Sequence, residues 1–194
     1  AAPLMTKVTS LRRTMKMNQR IENYVQSHGN DFMKLLCQII SLPSPTGHEE
    51  EKEHWILQYF RDKGIDGAYA DAAGNILYPC QIKSGIKVPL YTAHIDTVFQ
   101  DLREISLKIE GHTLAAPSCS DNSASVAGLL FIITMIHDLK LSLPKGILFA
   151  FDVGEEGLGN LKGIRQVMAD WQDRLSEVVA VDCTFDTFVT TAVG

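Results

Sequence analysis

Three compact apolar runs in this chain each end in residue types that bind metal ions or move protons. Val88 to Ala93 leads into His94-Ile95-Asp96, Ile147 to Val153 into Gly154-Glu155-Glu156-Gly157, and Val178 to Val181 into Asp182. A hydrophobic core has no use for such a pattern, because buried charge without a partner is strongly destabilising. A further carboxylate, Asp121, stands with Asn122 ahead of the long apolar stretch Ser123 to His137, where Asp is a natural helix N-cap. Taken alone, Asp121 is fully explained as a cap. Beside His94, Asp96, Glu155, Glu156 and Asp182 it reads as one more acid directed at a shared cleft.

Carboxylates gathered in one cleft repel one another unless cations are present. Imidazole and carboxylate oxygen are suitable zinc ligands. Two such ions roughly 3.5–4 Å apart can polarise a carbonyl and generate hydroxide at neutral pH. The chemistry implied is hydrolysis of an amide or peptide bond. Cobalt or manganese would suit the same donors.

The elements that must position these groups follow from periodicity. The three apolar runs have strand length and are separated by helical stretches, which predicts an α/β domain with a mostly parallel central sheet flanked by helices. The carboxyl ends of neighbouring parallel strands share one edge, and ligands bind in the crevice outside it. From Asn18 to Ile40, apolar residues recur at helical spacing with a break near Gly29. The segment Leu42-Pro43-Ser44-Pro45-Thr46-Gly47 is a proline-stiffened loop. Glu49 to Glu51 then open a helix that reaches Asp62 and stops at Gly64, the acids suiting the positive end of its dipole. Ala68 to Asp71 with Asn75 to Cys80 predicts one short hairpin, and Ile105 to Ala115, turning at Gly111, a second.

These motifs together resemble the dizinc metallopeptidase family of peptidase T, glutamate carboxypeptidase and aminoacylase. The resemblance is carried by His94-Ile95-Asp96-Thr97-Val98, Asp121-Asn122-Ser123-Ala124 and Gly154-Glu155-Glu156-Gly157-Leu158-Gly159-Asn160-Leu161-Lys162-Gly163. It extends from about Met17 to Gly194 and includes the Leu42 to Gly47 loop. It implies a phosphorylase/hydrolase-like zinc exopeptidase catalytic domain. By position it places His94 and Asp182 on one metal, Glu156 on the second and Asp121 bridging both, with Glu155 as general base. Asp96 would orient the His94 ring, since a metal-bound imidazole usually donates its other N–H to an oxygen that fixes its tautomer. The glycines from Gly154 to Gly163 would let backbone turn tightly beside the metals, or serve only as a turn.

The family continues past the third strand into a lid domain and a further metal-binding His, whereas this sequence stops at Gly194. The expectation is therefore an N-terminal portion of the catalytic domain, residues 17–194, with the lid absent and the site incomplete. Turnover by the chain alone would then be in question. His28, His48, His54, His112 and His137 lie outside any ligand motif. Cys119 and Cys183 stand near proposed ligands and read as small buried hydrophobes, with thiolate coordination as the alternative.

The composition of the 194 residues, 45% hydrophobic and 21% charged, suits one globular domain with a real core. The formal charge of -5 excludes a nucleic-acid partner, which needs clustered Lys and Arg. Four cysteines without a C-x-x-C pair fit a reducing cytoplasm. No run approaches the roughly 20 apolar residues of a membrane span. Residues 1–16 carry Lys7, Arg12, Arg13 and Lys16 without an acid and are set apart as a leader or appended extension, Met17 reading like a natural start.

The function expected is metal-dependent hydrolysis of short peptides by an exopeptidase with two zinc ions. The alternatives are an N-acyl amino acid deacylase and a non-catalytic fragment with a structural or partner-binding role. A homodimer formed through an uncovered sheet edge or apolar face is a further expectation.

Overall fold

The computed structural model describes residues 2–100, 105–111 and 113–182, with side chains from residue 15 onward. The helices are α1 (Ala2–Ser27), α2 (Gly29–Ile40), α3 (Glu50–Asp62), α4 (Ala124–Asp138) and α5 (Lys162–Trp171). The strands are β1 (Tyr69–Ala70), β2 (Ile76–Cys80), β3 (Val88–His94), β4 (Lys108–Glu110), β5 (Thr113–Ala115), β6 (Ile147–Asp152) and β7 (Leu175–Ala180). The central sheet has the order β1-β2-β6-β3-β7, and β4 with β5 forms a separate hairpin. The α/β layering is the one expected, and the sheet is mixed. β6, β3 and β7 are parallel, while β2 runs antiparallel to β6 and β1 antiparallel to β2. All of the site-bearing strands belong to the parallel half, so their carboxyl ends share one edge.

Burial on both faces explains why these strands read as unbroken apolar runs. On β6, Phe149 and Phe151 turn into a large core with Ile39, Ile40, Ile56, Phe60, Leu130 and Ile133. Leu148 and Ala150 turn to the opposite face, where Val167 and Trp171 of α5 cover them. α4 is apolar on all sides because it packs against both α2 and β3. The span Cys119–Asp138 is long and apolar enough to cross a membrane by length and composition, yet 61% of its apolar window is buried inside the protein. That matches the central helix of a globular core.

Local signals act where the sequence placed them. The chain breaks between α1 and α2 at His28, and α1 runs without interruption through Met17 from the segment set apart as a leader. Gly64 ends α3 with φ +65°, the Ile65 amide donating to Phe60 O (2.9 Å) and the Gly64 amide to Arg61 O (3.0 Å). This double bond pattern needs a residue that tolerates the left-handed region. In the β1–β2 turn, Asp71 Oδ1 accepts from the amides of Ala73, Gly74 and Asn75. Fully buried Asn75 then accepts from the Val153 amide (3.0 Å) and donates to Gly163 O (2.9 Å). It fastens the hairpin to both ends of the loop that carries Glu155 and Glu156.

Candidate metal centre

His94 closes β3 directly opposite Asp152 at the end of β6. Its Nδ1 lies 3.1 Å from the backbone oxygen of Asp96 and 3.4 Å from Asp96 Oδ1. Its Nε2 lies 3.0 Å from Asp121 Oδ1 and 3.9 Å from Asp182 Oδ1. His94 and Asp96 are buried at the bottom of the site, whereas the Asp121 and Asp182 side chains are about half exposed, at 48% and 46%. Asp96 anchors the loop after β6: Oδ1 accepts from the Glu155 amide and Oδ2 from the Glu156 amide, each at 3.0 Å. Thr46 donates its hydroxyl to Oδ2 as well (3.0 Å).

Asp121 does not cap α4. It lies inside a π-helical turn, Cys119–Ser123, with φ -114° and ψ 96°, and is joined to Asn122 by a cis peptide. Ser123 holds the N-cap position without a side-chain bond, and the Asp121 carboxylate is directed at His94 instead. Asn122 Nδ2 donates to Val181 O (2.9 Å), tying this turn to the end of β7. The pull of the histidine and the tethered turn outweighs the local capping preference of Asp.

Electrostatics follows from this crowding. Burial disfavours the His94 imidazolium, but the hydrogen bond and charge of Asp96, with Glu155 and Asp182, prevail and raise its pKa to about 9. Burial also opposes ionisation of Asp96, yet the bonds from His94 and from the Glu156 and Glu155 amides hold its pKa below the ordinary value. Glu155 is pushed up by burial and by Asp182, Asp96 and Asp121, against the pull of His94. Glu156 is pushed up first by burial and then by Asp121, Glu155 and Asp96, against the pull of His94.

Such a site calls for a cation. With Nδ1–H donated to Asp96, a neutral His94 turns its Nε2 lone pair toward two carboxylates, which is repulsive unless a proton or a metal ion lies between them. His94, Asp121 and Glu156 each offer a ligand atom, all within 4.8 Å of one another, so these residues could hold a metal ion. The donor chemistry, one imidazole with carboxylates, fits zinc and similar divalent metals.

The predicted site residues His94, Asp96, Asp121, Glu155, Glu156 and Asp182 are thus brought to one edge. A small cavity of about 110 Å³ is lined by His94, Asn122, Asp152, Glu155, Leu161 and Asp182 among others. A larger cleft of about 570 Å³, walled by Tyr24, Trp55, Tyr59 and Phe131, lies on the helical face away from these residues. Cys119 turns its thiol toward Leu114 O (3.8 Å), and burial raises its pKa, so thiolate coordination by Cys119 is not supported. Cys183 and His112 lie outside the described residues.

Three buried residues around the site escape a reading of the sequence. Asp152 sits inside a run taken as apolar, accepts a short hydrogen bond from Thr92, and is pushed up to about 6 mainly by burial. Lys52 is 2% exposed and donates to Ile95 O (3.2 Å), the carbonyl just before Asp96. Glu49 is buried beside the loop after β6. A signal for Lys52 exists, since it shares the i, i+4, i+8 stripe of Ile56 and Phe60 on the buried face of α3. For Asp152 the signal is a lone acid within a hydrophobic strand.

Residues 90–191 match the pattern of Peptidase family M20/M25/M40, and the chain belongs to that family. Its mixed sheet flanked by helices is the fold it shares with solved peptidase structures. Among curated relatives it is 31% identical over 137 residues to a protein of Pyrococcus abyssi named LysW-lysine/LysW-ornithine hydrolase, a match that covers 70% of this chain and 36% of the relative. The fold is similar to that of a tripeptidase from Staphylococcus aureus, with TM-score 0.65 and 19% identity over 78% of this chain and 42% of that one. It is also similar to a di-peptidase from Saccharomyces cerevisiae, with TM-score 0.67 and 13% identity over 84% of this chain and 40% of that one. The chain spans about two fifths or less of the length of these proteins.

Proposed function

We propose that this chain carries the main part of a dinuclear zinc site in an exopeptidase that hydrolyses short peptides. The observation that carries the reading is the convergence of His94, Asp121 and Glu156 within 4.8 Å, with Glu155 adjoining in the same loop. His94 and Asp182 would hold one zinc, Glu156 the other, and Asp121 would bridge them. Bound there, the ions would supply Lewis acidity to the scissile carbonyl and to the attacking water. Asp96 holds the imidazole through Nδ1 and so keeps Nε2 as the ligating nitrogen. Glu155, whose pKa is raised from its ordinary value by burial and neighbouring acids, is suited to take a proton from the attacking water and pass it to the leaving amine.

The name of the Pyrococcus relative favours a second reading within the same chemistry. It specifies hydrolysis of lysine or ornithine joined to LysW, so a deacylase that releases an amino acid from an acyl group is the alternative. The proposal also keeps residues 17–194 as a portion of one catalytic domain in a reducing cytoplasm, where free Cys37, Cys80 and Cys119 stay thiols. A homodimer belongs to the same proposal and would be read by light scattering.

Elemental mass spectrometry of the purified chain, dialysed against metal-free buffer, tests the reading. Close to two zinc ions per chain are expected, falling toward none in Asp121→Ala. A wild-type value near zero would overturn a working metal centre on this chain and leave a non-catalytic role.

A further inference from the structure

Glu49 stands at the N-cap position of α3 but makes no capping bond. The residue is 5% exposed and its side chain turns the other way. Oε1 accepts from the Gly47 amide at 2.9 Å and from the Gly154 amide at 3.1 Å, across 105 positions of chain. The next two amides, of Glu155 and Glu156, are those taken by the two oxygens of Asp96. Three successive N–H groups are therefore held by two buried carboxylates reached from different elements.

This arrangement has a backbone reason. Gly154 adopts φ +63°, which turns the chain sharply off β6, and its amide is buried without a strand partner. A buried N–H in that position requires an acceptor, and Glu49 is the one provided. The acceptor is itself fixed. Ser44 donates to Ile95 O (2.7 Å), the Thr97 amide to Ser44 O (2.9 Å), and the Thr46 amide to Thr97 O (3.1 Å). The proline-stiffened loop is thereby stitched along the segment after β3, and Lys52, one turn beyond Glu49, donates to the same Ile95 oxygen.

We propose that Glu49 is a positioning residue: by accepting the Gly154 amide it sets the Gly154–Glu156 turn and hence the direction in which the Glu155 and Glu156 carboxylates leave the sheet edge. The inference rests on the reading that those two carboxylates serve the metal site. Glu49 itself touches neither metal nor substrate in this assignment. What it contributes is the geometry of acceptance, so a neutral acceptor of the same length should serve as well.

The test uses the whole chain with Glu49→Gln, Glu49→Ala and Glu49→Asp, read by amide hydrogen exchange at Gly154, Glu155 and Glu156 and by zinc affinity in competition with a chromophoric chelator. Glu49→Gln keeps Oε1 in place and should stay within about threefold of wild type in both measurements, because the acceptor is retained. Glu49→Ala removes it, and Glu49→Asp draws it back by one methylene. Both should speed exchange at Gly154 by about tenfold or more and weaken zinc by about 10–100-fold, the usual cost of losing support behind a ligand. Should Glu49→Ala fail to fold, Glu49→Asp decides. Unchanged exchange at Gly154 in the variant that lacks reach would overturn the proposal, as would equal loss in Glu49→Gln, which would point to charge rather than placement. If wild type binds no zinc, the metal reading falls, while the exchange result still judges the positioning role.

Discussion

His94 and Asp121 are 27 residues apart in the chain, and His94 Nε2 lies 3.0 Å from Asp121 Oδ1. The contact joins the end of a central strand to a turn that would otherwise serve only to start a helix. It gives the edge of the parallel strands an imidazole held on both nitrogens, by Asp96 behind and Asp121 in front.

Glu155→Gln removes the proposed base while keeping the shape of the side chain and the hydrogen bond that its backbone amide donates to Asp96 Oδ1. Turnover of a short peptide should fall by about 10²–10⁴-fold, the range for losing a positioned proton acceptor, with zinc content unchanged. Steady-state kinetics beside elemental analysis checks this. Turnover near the wild-type level would remove Glu155 from the role.

Gly163→Ala tests the packing that holds the loop after β6. A Cβ at this position would fall 2.5 Å from Val153 O and 2.6 Å from Val153 N, against backbone that cannot swing aside. We expect destabilisation of about 1–3 kcal/mol or more in urea unfolding, the cost of forcing atoms into a filled space. Gly128→Ala in α4 is the contrast. Nothing lies within 4 Å of its Cβ, and a helical alanine there should add about 0.5–1 kcal/mol.

Lys52 governs a third outcome through pH. Burial lowers its pKa from 10.5 to about 8, against the opposing charge of Asp96. Between pH 8 and 10.5 the unfolded chain binds the proton that the folded chain has released, so this residue makes stability rise with pH across that window. The contribution is roughly 3 kcal/mol at about 1.4 kcal/mol per pKa unit. Wild type minus Lys52→Met, followed by denaturant unfolding from pH 7 to 10.5, should climb by that order. A flat difference would show that Lys52 keeps its ordinary pKa.

Much of the fold is legible in residue order. The runs Val88 to Ala93, Ile147 to Val153 and Val178 to Val181 correspond to the adjacent parallel strands β3, β6 and β7, the helix opened by Glu49 to Glu51 stops at Gly64, and both hairpins turn where Gly74 and Gly111 stand. These are local properties, set by periodicity and by residues that tolerate positive φ. The direction of β2 is different: hairpin pairing with β1 and docking on β6 make that half of the sheet antiparallel, and no local pattern specifies docking.

The surroundings of the site show the same division. Sequence alone determined which residue types end the strands, because an apolar run followed by His94 and Asp96, or by Glu155 and Glu156, can be read from order and spacing. It also determined that these ends would lie at one edge, since parallel strands share their polarity. The company Asp121 keeps already directed it to the cleft; only the tertiary structure decided that it gives up the cap of α4 to Ser123, that Glu49 turns inward to the Gly154 amide instead of serving the dipole of α3, and that Lys52 is buried against Ile95 O. For Asp121 the choice weighs a cap preference worth about 0.5–2 kcal/mol, and for all three a local preference, against burial and charge supplied by segments far away in the chain. Such partners exist only once the layers have packed.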